Sequence, residues 1–267
     1  IGFDDHDLPS SIRELYQPFS VKKEKLILMN VLSSEMTKYA SNSMLAARIS
    51  FMNEISRICE LVGANVNQVR NGMGADPRIG YQYLYPSIGF GGSCFPKDLK
   101  SLSSISKEYG YDPKMIDATI HVNTSQIDNF ANRVIEYFDN NNRKVGIWGL
   151  SFKPDTDDVR EAPSIYFINK LLDNGFKISA YDPKAIENFK LHNEHKNISF
   201  VDEKYKALED ADCMVLLTEW QEFRSPDLDK IKSIIKTPVI FDGRNIYSEK
   251  ELRKNGFRYF QIGVKNS

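Results

Sequence analysis

Cys94 is the residue whose surroundings most favour chemistry. It stands directly after Gly91, Gly92 and Ser93 and shortly before Pro96, in the stretch GFGGSCFPKD. Proline is favoured in the first turn of a helix, where its missing N–H costs nothing. Cys94 is therefore expected at or beside a helix N-terminus, where unpaired N–H groups and the helix dipole favour a thiolate. The glycines let backbone approach a ligand closely. Asp98, one turn further on, shares the side of Cys94 if the helix begins there. The competing reading is a small buried cysteine beside a turn. Cys59 and Cys213 fit that reading well, one on an apolar helix face and the other in an apolar strand. A cysteine hydrolase would need a histidine base, and His6, His121, His192 and His195 sit in no recognisable motif.

The elements that must position Cys94 follow from periodicity. From Val21 to about Gly63 the chain reads as one long helix, with Leu45, Ile49, Met52, Ile55 and Ile58 on an apolar stripe and Gly63 as the stop. Such a helix suits a bridge between domains or a subunit interface. Gly72 to Gly92, rich in glycine, reads as loop. Pro96 heads a new helix, KDLKSLSSISKEYG, ending at Gly110, with further helical periodicity to about Ile135. From Arg143 strands and helices alternate. KVGIWGL, KISAYDP, ADCMVLLTE and TPVIFDG read as strands, and SIYFINKLLDNG as a helix closed by Gly175. This rhythm implies a parallel sheet with helices on its faces. The polar turn DNNNR places the boundary between the halves near residues 128 to 142. There is no internal repeat.

Composition narrows the function class. The chain has 267 residues, enough for about two domains, with 41% hydrophobic and 27% charged residues. A net charge of -1 gives no basic field for nucleic acid. No apolar run approaches the roughly 20 residues of a membrane helix. The start, IGFDDHDLPSS, lacks the features of a signal peptide and an initiator Met, so an excised piece of a longer protein is expected. Three scattered cysteines argue against a disulfide framework and for a reducing, cytoplasmic setting. No cysteine or histidine cluster suggests a metal site.

GFGGSCFPKD resembles the nucleophile motif of the UDP-glucose 6-dehydrogenases, in the UDP-glucose/GDP-mannose dehydrogenase family. KYASNSMLAARISFMNEISRICELVGANV resembles the family's central helix. GMGADPRIGYQYLYPSIGFGG resembles the loop that leads to the nucleophile. FKPDTDDVREAPS and FDGRN resemble two signatures of its C-terminal domain. Together these cover nearly the whole chain in the family's order.

The resemblance implies an α/β protein: an all-helical central dimerisation and catalytic domain at 19–127, joined to a Rossmann-like UDP-sugar-binding domain at 128–267. Residues 1–18 resemble the tail of the family's NAD-binding domain, whose glycine fingerprint this sequence lacks. The chain alone is therefore expected neither to hold NAD tightly nor to turn over substrate. The implied reaction is oxidation of UDP-glucose to UDP-glucuronate with two NAD⁺, through a thiohemiacetal and a thioester on Cys94. A thiolate suits this because it is both nucleophile and leaving group. Lys38 and Asn42 match the active-site lysine and asparagine, and their spacing puts both on one helix face. Lys38 is implied to stabilise oxyanion charge and to contact substrate, and Asn42 and Asp98 to hold the catalytic water or move protons.

Tyr83, Leu84, Tyr85, Pro86, Ser87 and Gly91 match the loop that wraps the sugar nucleotide. Phe152, Lys153 and Arg244 match further substrate contacts, and Arg78 an arginine that enters the neighbouring subunit's site in a homodimer. Lys97 and Arg160 match positions that contact NAD. On residues alone, Gly146, Gly149 and Asp182 outline a weak dinucleotide site. The segment reads GIWGLSF without the GxGxxG pattern, and the resemblance gives this domain to UDP. The alternatives are a GDP-mannose or UDP-N-acetylmannosamine dehydrogenase, or a non-catalytic sugar-nucleotide-binding module.

Overall fold

The computed structural model describes residues 1–4, 10–19, 26–138, 142–192 and 197–265. A short helix α1 (Ser10–Tyr16) precedes a helical layer of α2 (Val31–Val62), α3 (Val66–Gly74), α4 (Phe95–Glu108) and α5 (Lys114–Phe138). Helix α2 starts later than the sequence reading placed it. Asn30 caps it, its side-chain oxygen accepting the Ser33 N–H at 2.7 Å. Before the cap the chain is extended, with Met29 bridged to Gly2. Residues 21–25, which the reading also gave to this helix, lie outside the described residues. Gly63 ends α2 in the left-handed region, as expected.

The glycine-rich stretch is also not all loop, because α3 runs through Gly72 and Gly74. Asn65 caps α3 by accepting the Asn67 N–H at 2.9 Å. Gly74 serves packing rather than a turn, since a β-carbon there would sit 2.3 Å from the Tyr81 ring.

The side of α2 turned inward is small and polar, with Ser43, Ala46, Ser50, Asn53 and Ser56 beside Met52 and Cys59. Short side chains let α4 and α5 approach closely, and Ser50 donates to the Thr119 carbonyl of α5 at 2.9 Å. Of the expected apolar stripe Met52 is fully buried, whereas Ile58 is half exposed.

Helix α5 joins the two halves physically. Phe130, Ala131 and Val134, on its later turns, belong to the core beneath the sheet. The DNNNR turn after it lies largely outside the described residues.

Among the described residues, six strands form one parallel sheet: β1 (Lys144–Trp148), β2 (Lys177–Tyr181), β3 (Ile198–Phe200), β4 (Cys213–Leu216), β5 (Val239–Asp242) and β6 (Arg258–Gln261). Their order is β3-β2-β1-β4-β5-β6. The register pairs Val145 with Ile178 on one side of β1 and with Cys213 on the other. Helices α6 (Pro163–Asp173), α7 (Ile186–His192), α8 (Leu228–Ile234) and α9 (Glu249–Lys254) complete this half. Strands β4 and β5 are buried along their whole length, as a doubly covered parallel sheet requires. The edge strands β3 and β6 were not read from the sequence because they are only partly buried and carry no apolar run. The strand order reverses between β1 and β4, so a ligand crevice is expected outside the carboxyl ends there.

Candidate functional site

The segment from Tyr83 to Cys94 crosses between the helical layer and that crevice, held by its own backbone groups. The Ser87 N–H donates to Asn53 Oδ1 at 2.8 Å, and Gln126 Nε2 donates to the Ser87 carbonyl at 3.1 Å. Asn123 binds Phe90 twice, accepting its N–H at 2.8 Å and donating to its carbonyl at 3.1 Å. Asn53, Asn123 and Gln126 are buried, so these polar side chains exist to read the loop. On the sheet side the Ile88 N–H donates to the Gly243 carbonyl and the Gly92 N–H to the Arg160 carbonyl. Gly91 has no room for a side chain, since a β-carbon would lie 2.3 Å from the Glu161 carbonyl oxygen. Tyr83 and Asn245, on the crevice, and Glu161, behind Gly91, all take left-handed φ angles. Such strain persists only where surrounding contacts impose it.

Cys94 ends this loop and caps α4, with Pro96 inside the first turn, as the sequence predicts. The thiol is exposed, whereas Cys59 and Cys213 are buried. Burial pushes both of those thiols up. The Cys94 sulfur lies 3.8 Å from the Ser93 hydroxyl, and the Asp98 N–H donates to the Cys94 carbonyl at 2.9 Å.

Asp98 turns from there toward α2 and is buried. It accepts from Asn42 Nδ2 at 2.5 Å and pairs with Lys97 Nζ at 2.6 Å. Burial alone would raise its carboxyl, but these two bonds, with the charges of Lys97 and Lys38, hold it below the ordinary carboxylate range. Lys38 is exposed, with no hydrogen-bond partner among the described residues. Lys97 is raised chiefly by its bond to Asp98, and Arg160 chiefly by its bond to Asp158. Both cations are thus engaged by a carboxylate close to the Cys94 end of the loop.

A cleft of about 780 Å³ opens beside Cys94. One wall is the loop, with Tyr83, Tyr85, Pro86, Ser87 and Gly91; the other carries Phe152, Lys153 and Arg244. These wall residues follow the carboxyl ends of β1 and β5. Arg244 is fixed by its Nε, which donates to the Leu217 carbonyl at 2.7 Å and lies 3.1 Å from Glu219 Oε2. Its Nη2 donates to the Phe152 carbonyl at 3.3 Å.

Not every expected residue lines this space. The Leu84 side chain packs with Met52, Cys59 and Val66, so any ligand contact from it falls to its backbone. Lys38, Asn42 and Asp98 lie off the cleft wall, around the α4 N-terminus. Lys97 and Arg160 also lie off the wall. Arg78 lies outside the cleft, exposed and forked onto Asp76, with Nη2 to Oδ2 at 2.6 Å.

Sequence reasoning missed Arg70, Glu219, Arg224, Asn245 and Ile246, which line the same cleft. For Glu219 and Asn245 a signal existed, because each follows the carboxyl end of a strand beside the switch point. Arg70 and Arg224 looked like ordinary surface charges. The cleft wall thus carries four cationic side chains, Arg70, Lys153, Arg224 and Arg244, against one carboxylate, Glu219. That balance suits a ligand with a diphosphate.

The weak dinucleotide motif of the sheet is explained differently. Asp182 Oδ2 accepts from the Leu150 and Ser151 N–H groups and from Trp220 Nε1; Oδ1 accepts from the N–H groups of Lys184 and Ala185. A carboxylate so engaged has no capacity left for a ribose. A β-carbon on Gly149 would lie 2.5 Å from Thr218, so this glycine permits close packing rather than approach of a pyrophosphate. These residues do not fit NAD. Among the described residues no group of three or more His, Cys, Asp or Glu side chains could hold a metal, and no helix is long and apolar enough to cross a membrane.

Comparison with known proteins gives the same picture. Residues 32–125 match the central domain of the UDP-glucose/GDP-mannose dehydrogenase family, and residues 146–249 its UDP binding domain. A UDP-glucose 6-dehydrogenase of Pseudomonas aeruginosa is 39% identical over 98% of this chain, which spans 59% of that relative's length. A UDP-glucose dehydrogenase structure from the hyperthermophilic archaeon Pyrobaculum islandicum aligns with a TM-score of 0.82 at 30% identity, covering 96% of this chain and 56% of that one. An NDP-N-acetyl-D-galactosaminuronic acid dehydrogenase from Methanosarcina mazei aligns with a TM-score of 0.83 at 26% identity, covering 99% of this chain and 57% of that one. With both matched segments in order, on a helical layer followed by a parallel α/β sheet, the chain belongs to the UDP-glucose/GDP-mannose dehydrogenase family.

Proposed function

We propose that this chain carries the nucleophile and the sugar-nucleotide cleft of a UDP-glucose 6-dehydrogenase. The observation that carries the reading is the exposed Cys94 thiol at the edge of a cationic cleft on the side of the sheet where α/β folds take ligands. Lys153 and Arg244 would hold the diphosphate, the loop from Tyr83 to Gly91 the nucleoside and sugar, and Cys94 would face the sugar C6. The division into a helical part to about residue 127 and a UDP-sugar part after it follows the same reading. So does a soluble, cytoplasmic setting.

In this mechanism the Cys94 sulfur bonds to the aldehyde carbon formed in the first oxidation. The carbonyl oxygen gains charge near Lys38, which stabilises it electrostatically. Loss of hydride from that carbon leaves a thioester. Water held by Asn42 and Asp98 then adds, the C–S bond breaks, and carboxylate and free thiol result. Asp98 stays ionised under its bonds to Asn42 and Lys97, so it can orient the water or accept its proton. NAD, when bound, supplies hydride acceptance. Lys97 and Arg160, exposed cations paired with Asp98 and Asp158, would steer its charged groups.

The subunit pairing proposed is a homodimer through α2, whose exposed side carries Leu32, Met36, Met44, Phe51 and Leu61. Arg78 would then reach the partner's cleft.

The Methanosarcina structure shows that the same fold accompanies a different sugar nucleotide in name, so substrate choice needs its own test. Calorimetric titration of this chain should give a lower Kd for UDP-glucose than for GDP-mannose or UDP-N-acetylmannosamine. Tighter binding of either competitor would overturn the substrate assignment.

A further inference from the structure

Arg70 lies on α3 and on the wall of the cleft that also carries Tyr83 and Tyr85. Its guanidinium carbon sits over the Tyr85 ring, 4.7 Å from the centroid, and 5.9 Å from that of Tyr81. Two arginines of the neighbouring helix α2 do find acceptors. Arg48 donates to the carbonyls of Ile79, Gly80 and Gln82, and Arg57 Nε donates to Gln126. Arg70 donates to no acceptor among the described residues, and its Nε, like Nη2 of Arg57, is buried without one. No ion pair among the described residues involves it. A buried donor without an acceptor is costly, and a guanidinium carries five such donors in one plane.

Stacking on Tyr85 occupies the face of that plane and leaves its edge for an acceptor. Arg70 lines the cleft, and a sugar nucleotide brings acceptors of two kinds, base carbonyl and phosphate oxygens. We propose that Arg70 is a positioning residue for the nucleotide half of the ligand, its donor edge taking one of these oxygens while Tyr85 holds the plane. The proposal rests on the reading of the cleft as a UDP-sugar site. It adds a specificity element from α3, far in sequence from the nucleophile motif and from the sheet. Lysine would not substitute, since an ammonium can neither stack as a plane nor present a fork.

Calorimetry with UDP and with CDP on the wild-type chain, Arg70→Met and Arg70→Lys tests this. Both variants are expected to bind UDP more weakly by about fivefold or more, with Tm and ligand-free alkylation of Cys94 unchanged. A loss confined to UDP identifies the uracil O4 carbonyl as the acceptor; an equal loss for UDP and CDP identifies an oxygen that both carry, the base O2 or a phosphate. A smaller loss than this in a folded Arg70→Met would overturn the proposal. Should Arg70→Met fail to fold, wild-type-like UDP affinity in Arg70→Lys would overturn it instead. A wild-type chain that binds neither nucleotide would refute the UDP-site reading itself, an outcome separate from any effect of Arg70.

Discussion

Asp98 shows how one side chain can serve both the fold and the proposed chemistry. It is buried where α4 meets α2, yet stays ionised because Asn42 and Lys97 both donate to it. Its folded pKa lies below the unfolded value of about 3.9. The stability it contributes is therefore fully present above that value and is lost as pH falls through the lowered folded one. Asp98→Asn should cost about 1–3 kcal/mol in urea unfolding at neutral pH. The deficit should shrink as the medium is acidified past about pH 4. Lys97 is well exposed, so its ion pair is screened and the part-buried Asn42 contact carries a share of this value. A deficit independent of pH would contradict this account. The glycines and proline around Cys94 were enough to place it at a helix start. Arg70 and Arg224 were not legible as site residues. An arginine's role depends on what it meets across the fold, and nothing local marks a guanidinium left without a partner.

At the scale of elements, α2 has two faces with different tasks. One is small and polar and admits α4 and α5 at close range. The other exposes large apolar side chains at helical spacing, among them Leu32, Met36 and Phe51. An exposed apolar stripe of this kind marks an interaction surface. Phe51→Glu should therefore convert a sedimenting dimer to monomer without unfolding the chain, and a wild-type monomer at the same concentration would sink the pairing. The helix itself was legible from periodicity, and so were β1, β2, β4 and β5 from their apolar runs. The start of α2 was not, because Asn30 halts the helix from outside with a side-chain cap and no proline or glycine announces it. Helix α3 was hidden for the opposite reason. Its glycines suggested loop, whereas Gly74 is required by the Tyr81 ring packed on it.

For the whole molecule, the Tyr83–Cys94 loop is the piece that makes a site out of two halves. Asn53, Asn123 and Gln126 pin it to the helical layer, while Gly243 and Arg160 pin it to the sheet. Cys94 thus meets the carboxyl ends of β1, β4 and β5 through long-range contacts. The family resemblance anticipated this meeting, but spacing alone could not. The central claim is that Cys94 faces the sugar end of a UDP-sugar bound in this cleft. The most direct measurement is the alkylation rate of Cys94, followed by peptide mass spectrometry, with and without saturating UDP-glucose. Cys94 should react far faster than the buried Cys59 and Cys213, and UDP-glucose should slow it by about tenfold or more while UDP protects less. A Cys94 rate unchanged by UDP-glucose, under conditions where binding is demonstrated, would contradict the claim.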